Sequence, residues 1–163
     1  MQSSRILLLG LTTLLATVCP GQAKCAWINE ATASEILGGA ATVTAKVSDQ
    51  GDGVCEFSQQ QGGVVHQLRI SVGIMTDIPK QFPSYLAQCP PPSTRLRAIG
   101  NEAVICSVLG KADQYAEQVV GRVRDQAFVV SVSSSVQNDP SMTQELRREK
   151  ANRVAEQVAG ILF

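Results

Sequence analysis

The sequence predicts an α+β fold, with an antiparallel sheet of about six strands and helices packed on one side. Strict alternation of apolar and polar residues over 64–75 predicts a strand that is covered on one face only. Helical patterns near both ends of the chain predict the covering helices. Each half of the chain also carries two cysteines near a helix and a strand, so the two halves form a loose repeat.

The first 23 residues have the pattern of a secretory signal peptide. Arg5 is their only charge, residues 6–18 are mostly apolar, and Gly21-Gln22-Ala23 offers a small-x-small cleavage site. The apolar run is shorter than the ~20 residues that a bilayer span needs. We therefore expect residues 1–23 to be removed and residues 24–163 to form a single α+β domain, exported to the periplasm or the extracellular space.

A lipid anchor is the alternative to a freely exported domain. An acceptor cysteine in a lipoprotein follows a small residue, but Cys19 follows Val18 and Cys25 follows Lys24. The sequence therefore favours a product without lipid.

The charge balance argues against two classes of partner. The chain has 14 basic and 14 acidic residues, and removal of residues 1–23 takes away only Arg5, which leaves 13 against 14 and a charge of about −1. A near-neutral chain with mixed charges has no electrostatic footprint for nucleic acid. It also has no polybasic segment for anionic lipid.

Four cysteines remain after the signal peptide, namely Cys25, Cys55, Cys89 and Cys106. An even number of cysteines in an exported chain indicates disulfides. Four cysteines allow three pairings, and we favour Cys25–Cys55 with Cys89–Cys106 because each pair flanks one local unit.

The first half predicts one helix followed by three strands. Asn29 is a candidate N-cap for a short helix, and Gly38 supplies the left-handed residue that ends it. The Asp/Gly cluster at 49–53 predicts a hairpin turn between the first two strands. The predicted strands cover residues 42–48, 54–59 and 64–75.

The second half predicts a short helix, three strands and a long C-terminal helix. Prolines interrupt the short helix at 77–88, and Cys89-Pro90-Pro91-Pro92 predicts an extended, stiff connector. Asp139 is the expected N-cap of the last helix, with Pro140 at its first position. The polar residues along that helix predict a solvated face; they are Gln144, Glu145, Arg147, Arg148, Glu149 and Arg153. The predicted strands cover 103–109, 115–124 and 127–136, with a turn at 110–113.

Residues that could carry chemistry are few. His66 is the one histidine, and it falls among the apolar residues that alternate along its strand. This position favours a buried structural role. The sequence has no HExxH, Walker or dinucleotide-binding glycine pattern, and no CxxC for zinc. We therefore predict no catalytic residue, no cofactor and no metal, although a catalytic carboxylate pair stays open.

Several short motifs resemble those of small exported bacterial envelope domains of unknown function, many of them lipoproteins. The resemblance lies in Gly38, Cys55-Glu56-Phe57, the stretch Ile99-Gly100-Asn101-Glu102-Ala103, and Ala151-Asn152-Arg153-Val154-Ala155. It implies an N-terminal cysteine, a second cysteine followed by an aromatic residue, a turn before a strand, and a C-terminal helix over the sheet. It brings no catalytic residues, and the weak lipid-acceptor site departs from those families.

These observations predict a non-catalytic binding or accessory module whose partner is an unknown envelope protein or a small ligand. Gln67, Arg69 and Ser71 are expected on the exposed face of the third strand, where a partner could meet the sheet. The aromatic residues able to line a pocket are Trp27, Phe57, Tyr85 and Phe128, and core packing is favoured for Phe57 and Phe128. One alternative is a protease inhibitor that presents the proline segment after Cys89. A weak hydrolase is the other.

Overall fold

The computed structural model describes residues 24–109 and 114–163, which form three helices and seven strands. The predicted signal peptide at 1–23 and the predicted turn at 110–113 lie outside the described residues. The elements in chain order are α1 (Glu30–Leu37), β1 (Thr42–Val47), β2 (Gly53–Gln61), β3 (Val64–Ile74), α2 (Ile78–Leu86), β4 (Ser93–Leu96), β5 (Glu102–Leu109), β6 (Tyr115–Val123), β7 (Gln126–Ser134) and α3 (Gln144–Leu162).

The strands form one antiparallel sheet in the order β1-β2-β3-β7-β6-β5-β4. This arrangement confirms the predicted α+β class. Strands β1 to β3 form one meander and β4 to β7 form another, and the two meet where β3 pairs with β7. The loose repeat of the sequence therefore corresponds to two antiparallel meanders.

The sheet has seven strands rather than about six because β4 directly follows the predicted connector, in residues for which no strand is predicted. It is four residues long, and Ser93 to Arg95 are exposed. A short edge strand next to a proline run has no apolar alternation by which it could be predicted.

Helices α1 and α3 cover one face of the sheet and bury the main core. The largest fully buried strand side chains here include Phe57, Leu68, Ile70 and Phe128. Burial of each such side chain contributes about 1.5–3 kcal/mol. Helix α3 meets them with small and β-branched residues at helical spacing, which are Ala151, Val154, Ala155, Val158 and Ala159.

Helix α2 packs on the opposite face, so the prediction that all helices lie on one side is wrong. Phe82 packs with Met75 and Ala127, while Tyr85 also contacts the cluster that contains Val120 and Val129. The reason is that β6 and β7 carry apolar side chains on both faces of the sheet. Both faces must therefore be shielded from water by other elements. Within residues 24–109 and 114–163, no helix is long and apolar enough to cross a bilayer.

Two disulfides join the pairs that the sequence analysis favours. Cys25 is bonded to Cys55, with 5.7 Å between their Cα atoms, and ties the segment before α1 to β2. Cys89 is bonded to Cys106, with a Cα distance of 5.6 Å, and ties the end of α2 to β5. Bridges that close loops of this length contribute roughly 3 kcal/mol each in the chain-entropy account.

Candidate functional sites

An open polar cleft of about 430 Å³ lies on the face of the sheet opposite α1 and α3. Alternation along β3 places Gln67, Arg69 and Ser71 in this cleft, while Leu68 and Ile70 point into the core. The structure thus brings together the three side chains that the sequence places on the exposed face. Further amides and hydroxyls line the cleft, namely those of Gln88, Gln114, Gln118, Ser131 and Ser133. We call it the sheet-face cleft.

Strand register aligns the polar side chains in a row across the sheet. Arg69 is paired with Glu56 of β2 on one side and with Ser131 of β7 on the other. Ser131 is also paired with Gln118 of β6, so four neighbouring strands each contribute one polar residue. Backbone hydrogen bonds hold neighbouring strands about 4.8 Å apart. The cleft is therefore a polar surface whose spacing is set by the sheet itself.

The sheet-face cleft contains one ion pair. Arg69 Nη1 lies 3.1 Å from Glu56 Oε2, and Gln67 Nε2 donates to Glu56 Oε1 at 2.7 Å. Because both charged side chains are partly exposed, the pair contributes no more than about 1 kcal/mol to stability. The other described residues that line the cleft are uncharged. The surface is therefore rich in hydrogen-bonding groups and close to neutral.

A second cleft, of about 520 Å³, lies at the N-terminal end of α3, and we call it the α3 cleft. Leu109, Tyr115 and Pro140 form an apolar part of its wall. Glu117 and Arg147, which are both buried, also line it. Side chains alternate along β6, so Glu117 points to the same face of the sheet as Val119, which is a residue of the main core. This cleft therefore belongs to the helix-covered face.

Glu117 is a carboxylate in the interior, with only 1% of its surface exposed. It accepts a short hydrogen bond from the Ser107 hydroxyl and one of 3.1 Å from Gln144 Nε2. Arg148 Nη1 lies 3.2 Å from its second oxygen. Its charge is therefore matched by one cation and two neutral donors.

Asp139 lies in a second buried polar group beside Glu117. Its Oδ2 accepts from His66 Nε2 at 2.6 Å and from Ser134 Oγ at 2.7 Å. Its Oδ1 accepts from the backbone N–H of Ser141 at 2.9 Å and from Ser141 Oγ at 2.6 Å. Burial alone raises the pKa of Asp139, but the hydrogen bonds from Ser141, Ser134 and His66 outweigh it and hold that pKa well below its usual range.

The prediction that Asp139 is the N-cap of the last helix is wrong. Helix α3 begins at Gln144, and Thr143 is its N-cap, because the Thr143 side chain accepts from the backbone N–H of Leu146. Asp139 instead binds His66, a residue 73 positions away in the chain. Asp139 Oδ1 keeps a local bond to the backbone N–H of Ser141, while Oδ2 makes the tertiary contact, and the helix itself begins five residues later.

His66 is buried, and both of its ring nitrogens have partners. Nε2 faces Asp139, and Nδ1 faces the backbone oxygen of Leu37 at 3.2 Å. Both partners are oxygen acceptors, so the imidazole is held between the sheet-side Asp139 and the end of α1. Ser134 donates to Asp139 rather than to the imidazole, so His66 is not arranged to activate that hydroxyl as a nucleophile. This geometry gives His66 a structural role.

Arg147 is the charged residue for which the sequence prediction of a solvated face fails. It is only 3% exposed and donates from Nη1 to the backbone oxygen of Met142. Its Nε has no hydrogen-bond partner in the structure. Burial lowers the pKa of Arg147, while Glu117 and Asp139 act in the opposite direction through their charges.

The aromatic residues that the sequence offers as pocket candidates lie in the hydrophobic clusters. Trp27, Phe57 and Phe128 are buried in the main core, and Tyr85 packs from α2 onto the opposite face of the sheet. In the part of the chain that the structure describes, no cluster of three or more His, Cys, Asp or Glu side chains is placed to hold a metal ion.

The α3 cleft was missed from sequence because its charged residues are distant in the chain. Glu117 could have been noticed, because it alternates with Val119 and Val123 on one face of β6. A carboxylate is unusual on a buried face of a strand. The sequence around Arg147 gave no comparable indication that this arginine is buried. Comparison with protein-family models, with curated proteins and with solved structures finds no match for this chain.

Proposed function

We propose that this chain is an exported, disulfide-stabilised binding module of the bacterial envelope, without catalytic activity, and that the sheet-face cleft binds an extended polypeptide segment. The observation that carries the proposal is the row Glu56, Arg69, Ser131 and Gln118, which crosses four strands. Rigid strands hold these groups, so little side-chain ordering is needed on binding.

The chemistry of the sheet-face cleft favours a polypeptide backbone as the ligand. Glutamine amides and serine hydroxyls each offer both a donor and an acceptor. An extended backbone presents N–H and C=O groups in alternation, and Gln67, Gln118 and Ser131 can pair with either kind. The Glu56–Arg69 ion pair neutralises its own charges, which suits a ligand segment without net charge.

Export is supported by the signal-peptide pattern of residues 1–23 and by the two disulfides. The test is the intact mass of the protein recovered from its native host, before and after reduction and alkylation. We expect a chain that starts at Lys24 with four protected cysteines. A mass that includes lipid, or a free thiol before reduction, would contradict this form of export.

The binding proposal can be tested first by site-specific photo-crosslinking in the native host. A photoreactive residue at Gln88, on the rim of the sheet-face cleft, should crosslink to one defined polypeptide. The matched control is the same residue at Glu156, an exposed position on α3. Equal labelling from both positions, or capture of carbohydrate instead of polypeptide, would argue against the proposal.

The second step measures binding of a synthetic peptide that covers the crosslinked segment. Ser131→Trp fills the sheet-face cleft and should weaken binding at least about tenfold, which is about 1.4 kcal/mol. Glu156→Trp is the control and should bind as the unaltered protein does. The milder Gln118→Ala keeps the test valid if the bulky side chain disturbs the sheet. Unchanged affinity in both cleft variants would refute the site.

A second candidate function is protease inhibition by the segment at 90–95. All six residues of that segment are exposed, and the segment runs from the Cys89–Cys106 bridge into the pairing of β4 with β5. An exposed loop held at both ends loses little entropy on binding. If this is the function, the protein inhibits a member of a protease panel, and replacement of Pro90 to Pro92 by glycine removes the inhibition.

A further inference from the structure

The α3 cleft contains a buried guanidinium that has no carboxylate of its own. Arg147 is 3% exposed, and none of the ion pairs among residues 24–109 and 114–163 includes it. Its Nε also has no hydrogen-bond partner. Buried charges in proteins are normally paired, because removal of an ion from water is costly. The unpaired state of Arg147 therefore indicates a missing anion.

The two carboxylates nearby already have other partners. Glu117 pairs with Arg148 at 3.2 Å and also accepts from Ser107 and Gln144. Asp139 pairs with His66 at 2.6 Å and accepts from two serine hydroxyls. Neither carboxylate is within salt-bridge distance of Arg147.

The pairing within this group gives the valence of the missing anion. Glu117 is paired with Arg148, and Asp139 is hydrogen-bonded to His66. Within residues 24–109 and 114–163, Arg147 is the guanidinium of this group that has no carboxylate partner. A single negative charge would pair with it, whereas a dianion would place a second negative charge beside two carboxylates.

The cleft also offers groups that suit an anion with an organic body. Thr143 and Gln144 line it at the N-terminus of α3, a helix of 19 residues whose dipole favours negative charge at this end. Leu109, Tyr115 and Pro140 line the apolar part of the wall, and Leu109 is 66% exposed. A volume of about 520 Å³ is in the usual range for small-ligand sites.

We propose that the α3 cleft binds a monoanionic organic carboxylate, with the carboxylate paired to Arg147 at the N-terminus of α3 and the apolar body against Leu109, Tyr115 and Pro140. This site is on the opposite face from the sheet-face cleft and is independent of the polypeptide-binding proposal. It belongs to the class of small-molecule binding sites with one polar anchor and an apolar wall.

The test compares hexanoate with hexanamide, which has the same length and no charge. Each is titrated into the ¹⁵N-labelled, disulfide-bonded protein while amide shifts are followed by NMR. We expect hexanoate to shift the amides of residues 144–147 and to bind at least about tenfold more tightly than hexanamide. Equal affinities, or shifts centred elsewhere, would overturn the proposal without any substitution.

Two variants on the same helix assign the effect to Arg147. Arg147→Met keeps much of the side-chain volume and should remove the preference for hexanoate over hexanamide. Arg153→Met is the matched control, since the Arg153 side chain is 67% exposed and lies near Glu35 outside the cleft. The control should keep the preference. A preference that persists in Arg147→Met would refute the assignment.

A third titration tests the valence of the ligand. Hexyl phosphate has the same apolar body and is largely dianionic at pH 8. Because one unpaired guanidinium lies near the two carboxylates Glu117 and Asp139, a dianion should bind more weakly than hexanoate. Tighter binding of hexyl phosphate would show that the site is not built for a monoanion.

Discussion

Substitution of Asp139 by alanine gives the sharpest test of the buried polar group. Asp139 accepts four hydrogen bonds, from His66 Nε2, Ser134 Oγ, Ser141 Oγ and the Ser141 backbone N–H. His66 and Ser134 are both buried, so their donors would lose their partner without access to water. A buried donor that is left without its partner costs about 1–3 kcal/mol. With two such donors, we expect Asp139→Ala to lower the free energy of unfolding by about 2–6 kcal/mol.

The assay is urea denaturation at pH 7, followed by circular dichroism. Asp49→Ala is the control, because Asp49 is an exposed turn residue and its loss should change stability by less than about 0.5 kcal/mol. The double variant Asp139→Ala with His66→Leu should cost less than the sum of its two single variants, since it leaves no imidazole without its partner. A cost below about 1 kcal/mol for Asp139→Ala would refute the argument.

The same residue gives a pH dependence with a defined sign. The pKa of Asp139 is well below its usual range in the folded state, whereas in the unfolded chain it is about 3.9. Its contribution to stability is therefore fully present above the unfolded-state pKa and is lost as the pH falls toward the folded-state pKa. Unfolding free energies measured between about pH 5 and pH 2 should fall less steeply in Asp139→Ala than in the unaltered protein. If the unfolding free energies of the two proteins fell equally steeply with falling pH, the role of the ionised carboxylate would be contradicted.

Three further substitutions test other parts of the structure. Glu117→Leu should lower the free energy of unfolding by about 1–3 kcal/mol, because it removes only one partner of the pair with Arg148 and takes a negative charge away from the buried Arg147, and Glu117→Ala should cost more through its cavity; urea denaturation compares the two. Replacement of Cys89 and Cys106 by serine should cost roughly 3 kcal/mol, visible as a lower Tm, since the bridge closes a loop of 17 residues. Gly121→Ala should cost about 1–3 kcal/mol, because the added Cβ would lie 2.5 Å from Phe128 Cζ; an unchanged Tm would show that the ring moves aside freely.

Local patterns in the sequence were sufficient to predict the part of the sheet-face cleft that β3 contributes. Alternation along β3 alone decides that Gln67, Arg69 and Ser71 share a face, because successive strand side chains point to opposite sides. The sequence could not show that Ser131 and Gln118 lie in the same row. That fact depends on the register of β3 with β7 and of β7 with β6, which is a tertiary property.

The α3 cleft could not be predicted, for a different reason. The Asp139-Pro140 pattern is a sound local signal for a helix start, yet Asp139 forms only a local turn to Ser141 with one oxygen and binds His66 and Ser134 with the other. The sequence spacing along α3 placed Arg147 on a solvated face, although the segment that precedes the helix supplies the Met142 oxygen and encloses the guanidinium. Long-range contacts thus override local propensity at these two positions.

Helix α3 has two parts with opposite physical roles. Ala151, Val154 and Val158 are buried against the main core, and this apolar contact holds the helix on the sheet. The N-terminal turns, with Gln144 and Arg147, adjoin charged groups and the α3 cleft instead. Met142 and Leu146 also pack against the main core at this end, so the helix end beside the cleft is anchored on its apolar side. The same helix therefore holds the core together and fixes the position of Arg147 at the edge of the cleft.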